Sequence, residues 1–358
     1  MLMLAPAIHA EETDSCSCSE PHSSTYWIKQ LIDNGFRIHD PDVCYPRFPR
    51  FALKVYNWGD RTFNSYDTAY VVGTGKNWKL MGKSYNWIET STMLFPEDLT
   101  LDMHSNLFSD AGARLSFMAV SVGYMWNMNR LFSHPASRHT FDFAFNCSRF
   151  YLSYQTVSSE GGMIITRLGD YNKGKKLRYH FDDVSIRSKS ADLIYFFRHR
   201  NYSHAAAYAY SKYQLRSAGT ALIGLSFAEQ RMDMNFASLP EEMQKYVPLT
   251  SLQYSSHYRS YSACGGYSYN WVLHPRRWLV NFYGIGAIGY RQLFGTREDR
   301  DALELIAQQV QISSAAVYNH RALFAAATVR FHGFLNYNSS HTHFNSFPSF
   351  SLIVGMRF

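Results

Sequence analysis

The end of the chain alternates strictly between apolar side chains and polar or small ones. Phe350, Leu352, Val354, Met356 and Phe358 occupy every second position. A period of two predicts a β-strand with one apolar face. Because this strand runs to an aromatic residue at the last position, it is typical of the C-terminal strand of an outer-membrane β-barrel, with the final Phe in an aromatic girdle. The alternative is an edge strand of a soluble sandwich.

The segment 277–291 shows the same alternation over a greater length. Trp278 and Tyr290 bracket its apolar face, twelve positions apart. At about 3.3 Å per residue and a tilt of about 45°, that distance covers roughly 28 Å, close to the height of the apolar band of an outer-membrane barrel. Soluble strands are usually about half this long and need no aromatic residue at each end.

Similar segments recur along the chain and predict twelve strands, within a range of 10 to 14, because single-chain bacterial barrels have an even strand number. Thirteen segments are candidates for these strands, namely 77–91, 98–107, 113–126, 139–155 (with a bulge near 145–150), 176–185, 189–198, 203–213, 217–232, 255–272, 277–291, 305–318, 322–335 and 346–358. Short turns then alternate with the longer connections 233–254, 292–304 and 336–345. This asymmetry predicts a closed, antiparallel, up-and-down transmembrane β-barrel with its short turns in the periplasm.

Composition agrees with a barrel whose outside is apolar and whose lumen is polar. Aromatic residues make up 16% and charged residues 18% of the chain. The mean hydropathy is nevertheless −0.28, and no run of about 18 apolar residues predicts a membrane-spanning helix. The net charge of +7 is spread along the sequence without a basic block, so no nucleic-acid partner is predicted.

The start of the chain predicts two segments ahead of the barrel. Residues 1–10 resemble the remnant of a signal peptide, and 11–50 form a periplasmic segment with a short helix over about 25–34, which leaves 51–358 for the barrel. Five cysteines without paired spacing predict neither a disulfide framework nor a metal site.

Strand parity selects the polar side chains that should face the lumen. These candidates are Asp102, His104, Asp142, Asn146, Asn281, Gln309, Gln311, Arg330, His332 and Arg357. Their simplest interpretation is a hydrogen-bonded polar interior. Asp102 and His104 share a face and leave a hydrolase as the alternative, but the chain lacks the His-x-Ser pair that barrel phospholipases place on one strand. No catalytic residue, cofactor or metal is therefore predicted.

Several motifs carry a resemblance to a known family. They are Arg37-Ile-His-Asp-Pro, Tyr45-Pro-Arg-Phe-Pro-Arg-Phe-Ala-Leu-Lys-Val-Tyr-Asn-Trp58, Gly73-Thr-Gly-Lys-Asn-Trp78 and the final Gly-Met-Arg-Phe. Over about 26–358 the chain resembles a Bacteroidetes family known as domain of unknown function 4421. The resemblance implies an outer-membrane barrel and supplies no site residue.

The expected function is that of a non-enzymatic narrow pore or structural barrel in the outer membrane. Two alternatives stay open: a lipid- or glycan-modifying enzyme, and a docking subunit of an envelope complex. The expected partners are outer-membrane lipid and, through the C-terminal strand, the barrel-assembly machinery.

Overall fold

The computed structural model describes residues 26–35, 43–51, 53–54, 57, 65–95, 99–117, 120–128, 138–174, 177–247, 252–294, 302–338 and 341–358. The chain divides into two compact units, Met1–Asn57 and Trp58–Phe358. The predicted signal remnant and the cysteines Cys16 and Cys18 lie outside the described residues.

The first unit contains a short helix, α1 (Trp27–Asp33), in agreement with the predicted N-terminal helix. Leu31 is its buried residue, and the following turn places Gly35 at a φ of 69°, a conformation that glycine adopts without strain. The ring centroids of Trp27 and Tyr45 lie 5.7 Å apart. The backbone N–H of Cys44 donates to Gln30 Oε1 over 3.0 Å.

The second unit is built mainly of strands. They are β1 (Val71–Gly73), β2 (Trp78–Trp87), β3 (Thr90–Leu94), β4 (Thr100–Ser105), β5 (Phe108–Phe117), β6 (Val120–Asn127), β7 (Arg138–Asn146), β8 (Phe150–Glu160), β9 (Met163–Leu168), β10 (Tyr179–Phe181), β11 (Val184–Phe196), β12 (Lys212–Gln214), β13 (Ala218–Asn235), β14 (Gln253–His274), β15 (Trp278–Phe294), β16 (Ile306–His320), β17 (Leu323–Asn338), β18 (His341–Ser346) and β19 (Ser349–Arg357). Two short helices lie in the connections, α2 (His204–Tyr208) and α3 (Glu241–Gln244).

These strands close into an antiparallel barrel within the described part of the chain. The barrel has twelve strand positions, which we call staves, and a stave is formed either by one strand or by two consecutive strands. Three staves are interrupted (β2/β3, β4/β5 and β18/β19), and the others are β6, β7, β8, β11, β13, β14, β15, β16 and β17. The first and last staves pair from Lys79↔Arg357 to Trp87↔Ser349. Two backbone hydrogen bonds of 3.0 Å then join Trp78 to Phe358. The fold class and the strand number are confirmed.

The barrel has two different ends. At the turn end, short connections such as 275–277 and 321–322 join neighbouring strands, and the chain terminates there at Phe358. At the loop end lie the longer connections, including the β9–β10 hairpin, whose β9 pairs with β4.

Four predicted strands need correction. The segment 176–185 contains β10, which pairs with β9 and belongs to no stave, and the first residues of β11. The segment 113–126 divides between β5 and β6, and 139–155 divides between β7 and β8, with a turn at 147–149 in place of the predicted bulge. The segment 203–213 contains α2 and β12 and belongs to no stave. Alternation resumes after both breaks, and alternation alone cannot separate a long strand from a hairpin.

The large exposed apolar side chains lie on the outside of the barrel. On β15, the alternating residues Leu279 and Tyr283 are at most 5% exposed, whereas Phe282 and Ile288 are 45% and 62% exposed. The same exposure occurs on other staves, for example at Leu80, Leu115, Trp126, Leu152, Leu193, Leu225, Ile312, Val329 and Val354. A soluble protein does not leave so much apolar surface in water.

A closed barrel satisfies its own backbone hydrogen bonds and has no free strand edges, which makes it compatible with a hydrocarbon environment. With an apolar outer band and a polar lumen, the protein is an integral outer-membrane β-barrel. No helix in the described residues is long and apolar enough to cross a membrane.

Candidate functional site in the barrel lumen

The turn end of the lumen is filled by the connection between β11 and β13, residues 197–217, which we call the plug. Its helix α2 begins at Ser203, whose Oγ accepts a hydrogen bond of 3.2 Å from the backbone N–H of Ala206. Serine is a preferred N-cap residue, and the three alanines of α2 have the highest helix propensity. This signal was present in the sequence, although the segment was predicted as a strand.

Hydrogen bonds join the plug to the inner wall of the barrel. The hydroxyl of Tyr208 donates to Asn281 Oδ1 over 2.8 Å. The hydroxyls of Tyr202 and Ser268 lie 2.7 Å apart. Asn270 Nδ2 donates to the carbonyl of Ser203 over 3.0 Å. Asn281, a predicted lumen residue, is completely buried and contacts the plug.

Two buried cations bind main-chain carbonyls of the plug. Lys79 Nζ donates to the carbonyl of Ala209 over 2.6 Å. Arg357 Nε donates to the carbonyl of Tyr210 over 2.7 Å, and its Nη2 donates to Asn319 Oδ1 over 2.5 Å. The guanidinium of Arg357 also lies 4.4 Å from the ring centroid of Phe324. The predicted lumen residue Arg357 therefore holds the plug.

An apolar layer lies across the barrel at the loop end. Its buried residues form one contacting cluster, namely Met93, Phe95, Leu101, Met103, Met163, Ile165, Leu168, Phe181, Val184, Ile186, Met232, Met234, Phe236, Leu239, Met243 and Val247. Met93 and Leu101 come from the first two staves, whereas Ile186 and Met232 come from the sixth and seventh. Because these staves lie nearly opposite each other, the layer spans the mouth of the barrel.

A polar cavity of about 230 Å³, which we call the chamber, lies inside the barrel and is lined by α2 of the plug, by Ile186 of the apolar layer and by the wall. Its charged lining residues are Lys83, Glu89, Arg114, Asp142, Asp192 and Arg330. Tyr85, Tyr151, Tyr154, Tyr208, Tyr210 and Tyr283 add a ring of phenols. Of the predicted lumen residues, Asp142, Asn146, Gln309, Gln311, Arg330 and His332 line the chamber.

The charges of the chamber are largely balanced. Arg114 forms an ion pair with Asp142. The carboxylate of Asp192 accepts hydrogen bonds from Ser153 and Ser226, over 3.2 and 2.7 Å. Among the described residues, Arg330 Nε has no hydrogen-bond partner. The arrangement suits a hydrated passage or a bound polar solute better than a catalytic triad, because no serine among the described lining residues is hydrogen-bonded to a histidine.

Asp102 and His104 do not face the lumen, which corrects their predicted position. Leu101 and Met103 take the inward positions of β4, so Asp102 and His104 lie on the opposite face. The interruption at 106–107, between β4 and β5, changes the parity of the stave, and a shift of one residue exchanges the two faces of a strand. Asp102 Oδ1 accepts a hydrogen bond of 2.8 Å from Thr92 Oγ1.

The predicted girdle residues lie at the ends of the outer face. Trp278 is 45% exposed at the turn end, and its ring centroid lies 4.7 Å from that of Tyr318. Tyr290 is 53% exposed, twelve residues further along β15. Phe358 is half-buried beside Trp78 at the closure of the barrel.

The described residues contain no group of three or more His, Cys, Asp or Glu side chains placed to hold a metal ion. Within the described part of the chain, Cys44, Cys147 and Cys264 form no disulfide.

His204, on α2 of the plug, lines the chamber and lies among aromatic rings. Its centroid is 4.6 Å from that of Tyr208, 4.7 Å from Tyr151 and 5.1 Å from Phe196. His204 Nδ1 has no hydrogen-bond partner among the described residues. Burial lowers the pKa of His204 from its ordinary 6.5 to about 3, and the positive charge of Arg330 adds to this effect.

We expect acidification to destabilise the folded plug through His204. Below pH 6.5 the unfolded chain binds a proton that folded His204 does not accept until about pH 3, so stability falls as the pH decreases. The expected loss at about pH 5 is about 2 kcal/mol. Urea unfolding of the barrel in lipid vesicles at neutral and acidic pH measures it. His204→Phe is the control and should lose about 2 kcal/mol less; an identical pH dependence in both proteins would contradict the assignment.

Comparison with known families gives one match. Residues 65–358 match the model of a family described as a domain of unknown function (DUF4421). No curated protein matches the chain.

Among solved structures, the outer-membrane protease OmpT from Escherichia coli is 7% identical, with a TM-score of 0.34 over 79% of this chain and 97% of that chain. The translocator domain of the autotransporter NalP from Neisseria meningitidis is 9% identical, with a TM-score of 0.35 over 87% of this chain and 96% of that chain. At these values the comparison gives no information about activity.

Proposed function

The chain belongs to the DUF4421 family, whose description names no activity, and we propose that it is a non-enzymatic narrow pore closed by its own plug. The observation that carries this proposal is the polar chamber inside the barrel. A barrel with a purely structural role needs no such space between its two closures, because a packed lumen would be more stable.

The two closures differ in their physical nature. The plug is held by directed hydrogen bonds, such as those from Lys79 and Arg357 to its carbonyls. The apolar layer contains six methionines, whose flexible side chains repack easily. An apolar constriction of this kind can close a pore by excluding water. We propose that conduction requires the plug to move and the apolar layer to become hydrated.

The enzyme alternative is not favoured. Its two named residues, Asp102 and His104, lie on the face away from the chamber. Asp142 does line the chamber, but it is paired with Arg114. Nothing in the described residues favours a docking subunit over a pore.

We further propose that the turn end faces the periplasm. We also propose that residues 11–50 form a periplasmic segment and that residues 51–358 form the barrel. We propose recognition of β19 by the barrel-assembly machinery, which is supported by the exposed, alternating apolar residues Leu352, Val354 and Met356 on its outer face. The sequence motifs named above support a Bacteroidetes source.

Conductance in planar bilayers tests the pore. We expect the wild-type barrel to be silent. Replacing residues 203–210 by a Gly/Ser linker of equal length, together with Met93→Ser and Met232→Ser, should give steady conductance, because both closures are then weakened. Met93 and Met232 lie on opposite sides of the apolar layer.

The matched controls are two variants, one with the linker replacement alone and one with the two serine substitutions alone. Each should conduct weakly or not at all. Heat-dependent gel mobility establishes that every variant is folded. A folded variant with both changes that stays as silent as wild type would refute the pore and leave the structural barrel as the function.

A further inference from the structure

Six exposed arginines gather at the turn end of the barrel. We call this set the basic arc, and its members are Arg198, Arg200, Arg216, Arg276, Arg277 and Arg321. Their connections, 197–217, 275–277 and 321–322, join staves that follow one another around the barrel from β11 to β17. The arginines therefore lie along one continuous half of the rim. We propose that the basic arc binds the head groups of anionic phospholipids in the leaflet at the turn end.

The basic arc lies beside the membrane surface of the barrel. Phe197 is 51% exposed and directly precedes Arg198, and Trp278 is 45% exposed and directly follows Arg277. Leu323 is 53% exposed and lies two positions after Arg321. Since a strand advances about 3.3 Å per residue, the backbones of Arg198, Arg277 and Arg321 lie within about 7 Å, measured along the chain, of these lipid-contacting residues, at the edge of the apolar band.

The arginine side chains of the basic arc form no ion pair among the described residues, and Arg216 alone of the six has a ring contact there, 5.7 Å from the centroid of Tyr70. The ion pairs found among the described residues use Arg114, Arg187, Arg231 and Arg259, none of which belongs to the arc. Asp67 lies beside the arc, since its backbone N–H donates to the carbonyl of Arg200 over 2.9 Å. Its Oδ1 accepts from the backbone N–H of Ala69 over 2.9 Å.

The loop end has a different charge distribution. There, carboxylates accompany the basic residues: Glu229 pairs with Arg259 and Asp233 pairs with Arg231. A groove at this end is lined by Glu160, Asp182, Asp183 and Asp233, with no lysine or arginine among its lining residues. The described part of the loop end therefore mixes both signs of charge, whereas the basic arc consists of arginines.

The chemistry of arginine selects phosphate. Its planar guanidinium can donate two parallel hydrogen bonds to phosphate oxygens, and it stays charged at every physiological pH. Several arginines near an anionic lipid surface act together, because each one adds to the attraction. A zwitterionic lipid carries no net charge to balance the arc, so we expect the arc to prefer phosphatidylglycerol over phosphatidylcholine.

Native mass spectrometry of the full chain from mixed nanodiscs of phosphatidylglycerol and phosphatidylcholine tests the proposal. Wild type should retain phosphatidylglycerol in preference to phosphatidylcholine. The triple variant Arg276→Gln, Arg277→Gln, Arg321→Gln should lose about fivefold in this preference for each arginine replaced. The matched control replaces three loop-end arginines, Arg187→Gln, Arg231→Gln and Arg259→Gln, and should retain the wild-type preference.

Two further measurements separate the possible outcomes. Heat-dependent gel mobility shows whether both triple variants are folded, and single replacements serve if a triple variant is not. Inorganic phosphate in the buffer should fail to displace the lipid, because the apolar wall beside the arc holds the acyl chains. Equal lipid retention in wild type and in the folded arc variant would overturn the proposal, as would displacement by phosphate or an equal loss in the loop-end control.

Discussion

Replacing Arg357 with Ala is expected to lower the free energy of unfolding by about 3 to 5 kcal/mol. The guanidinium is 2% exposed and donates to the carbonyl of Tyr210 and to Asn319 Oδ1. Its removal leaves both acceptors buried without this donor, and each such loss costs about 1 to 3 kcal/mol. The contact with the ring of Phe324 is lost as well.

Urea unfolding of the barrel in neutral lipid vesicles measures this effect. Arg200→Ala is the matched control, because Arg200 is an exposed arginine of the plug, and it should change stability by less than about 0.5 kcal/mol. A loss below about 1 kcal/mol for Arg357→Ala would mean that the hydrogen bonds to the plug contribute little to stability.

Replacing Ile312 with Arg is expected to destabilise the barrel by about 2 to 4 kcal/mol in a bilayer. Ile312 is 43% exposed on the outer face of β16. Where β15 pairs with β16, Trp278 lies opposite Tyr318 and Tyr290 lies opposite Ile306. Ile312 is halfway between Tyr318 and Ile306 along β16, so it lies midway between the two aromatic levels. A charge at this depth has to leave water for hydrocarbon.

Gln308→Arg on the same face, near the loop end, is the control and should cost about 0 to 1 kcal/mol. The comparison uses folding in vesicles, because detergent micelles deform around a charge. If both variants lost the same stability, the apolar band would not have its centre at Ile312, and the placement of the membrane would need revision.

Much of the barrel could be predicted because its determinants are local. Alternation along 277–291 and 346–358 fixes which face of each strand is apolar. From 217 onwards the predicted strands agree with β13 to β17 and β19 within a few residues, whereas β18 lies in the predicted connection 336–345. Parity also placed Asp142, Asn146 and Arg330 among the residues that line the chamber. Where parity failed, at Asp102 and His104, an interruption within the stave had exchanged the two faces.

The plug could not be predicted from alternation, because its position depends on contacts distant in sequence. Lys79 and Arg357 bind carbonyls that are 130 and 147 residues away along the chain. The short helix α2 has its own signal in Ser203 and the following alanines, but nothing local shows that it packs inside the barrel.

The sequence by itself determined a membrane barrel, since a period of two, aromatic levels at both ends of the strands and the order of long and short connections are properties of neighbouring residues. Only the tertiary structure decided that the lumen is closed at both ends around a polar chamber, and that arginines from three separate connections form one basic arc. The physical reason is that closing the barrel sets the order of the staves in space. Residues far apart in the chain then become neighbours, and their burial and combined charge depend on that arrangement.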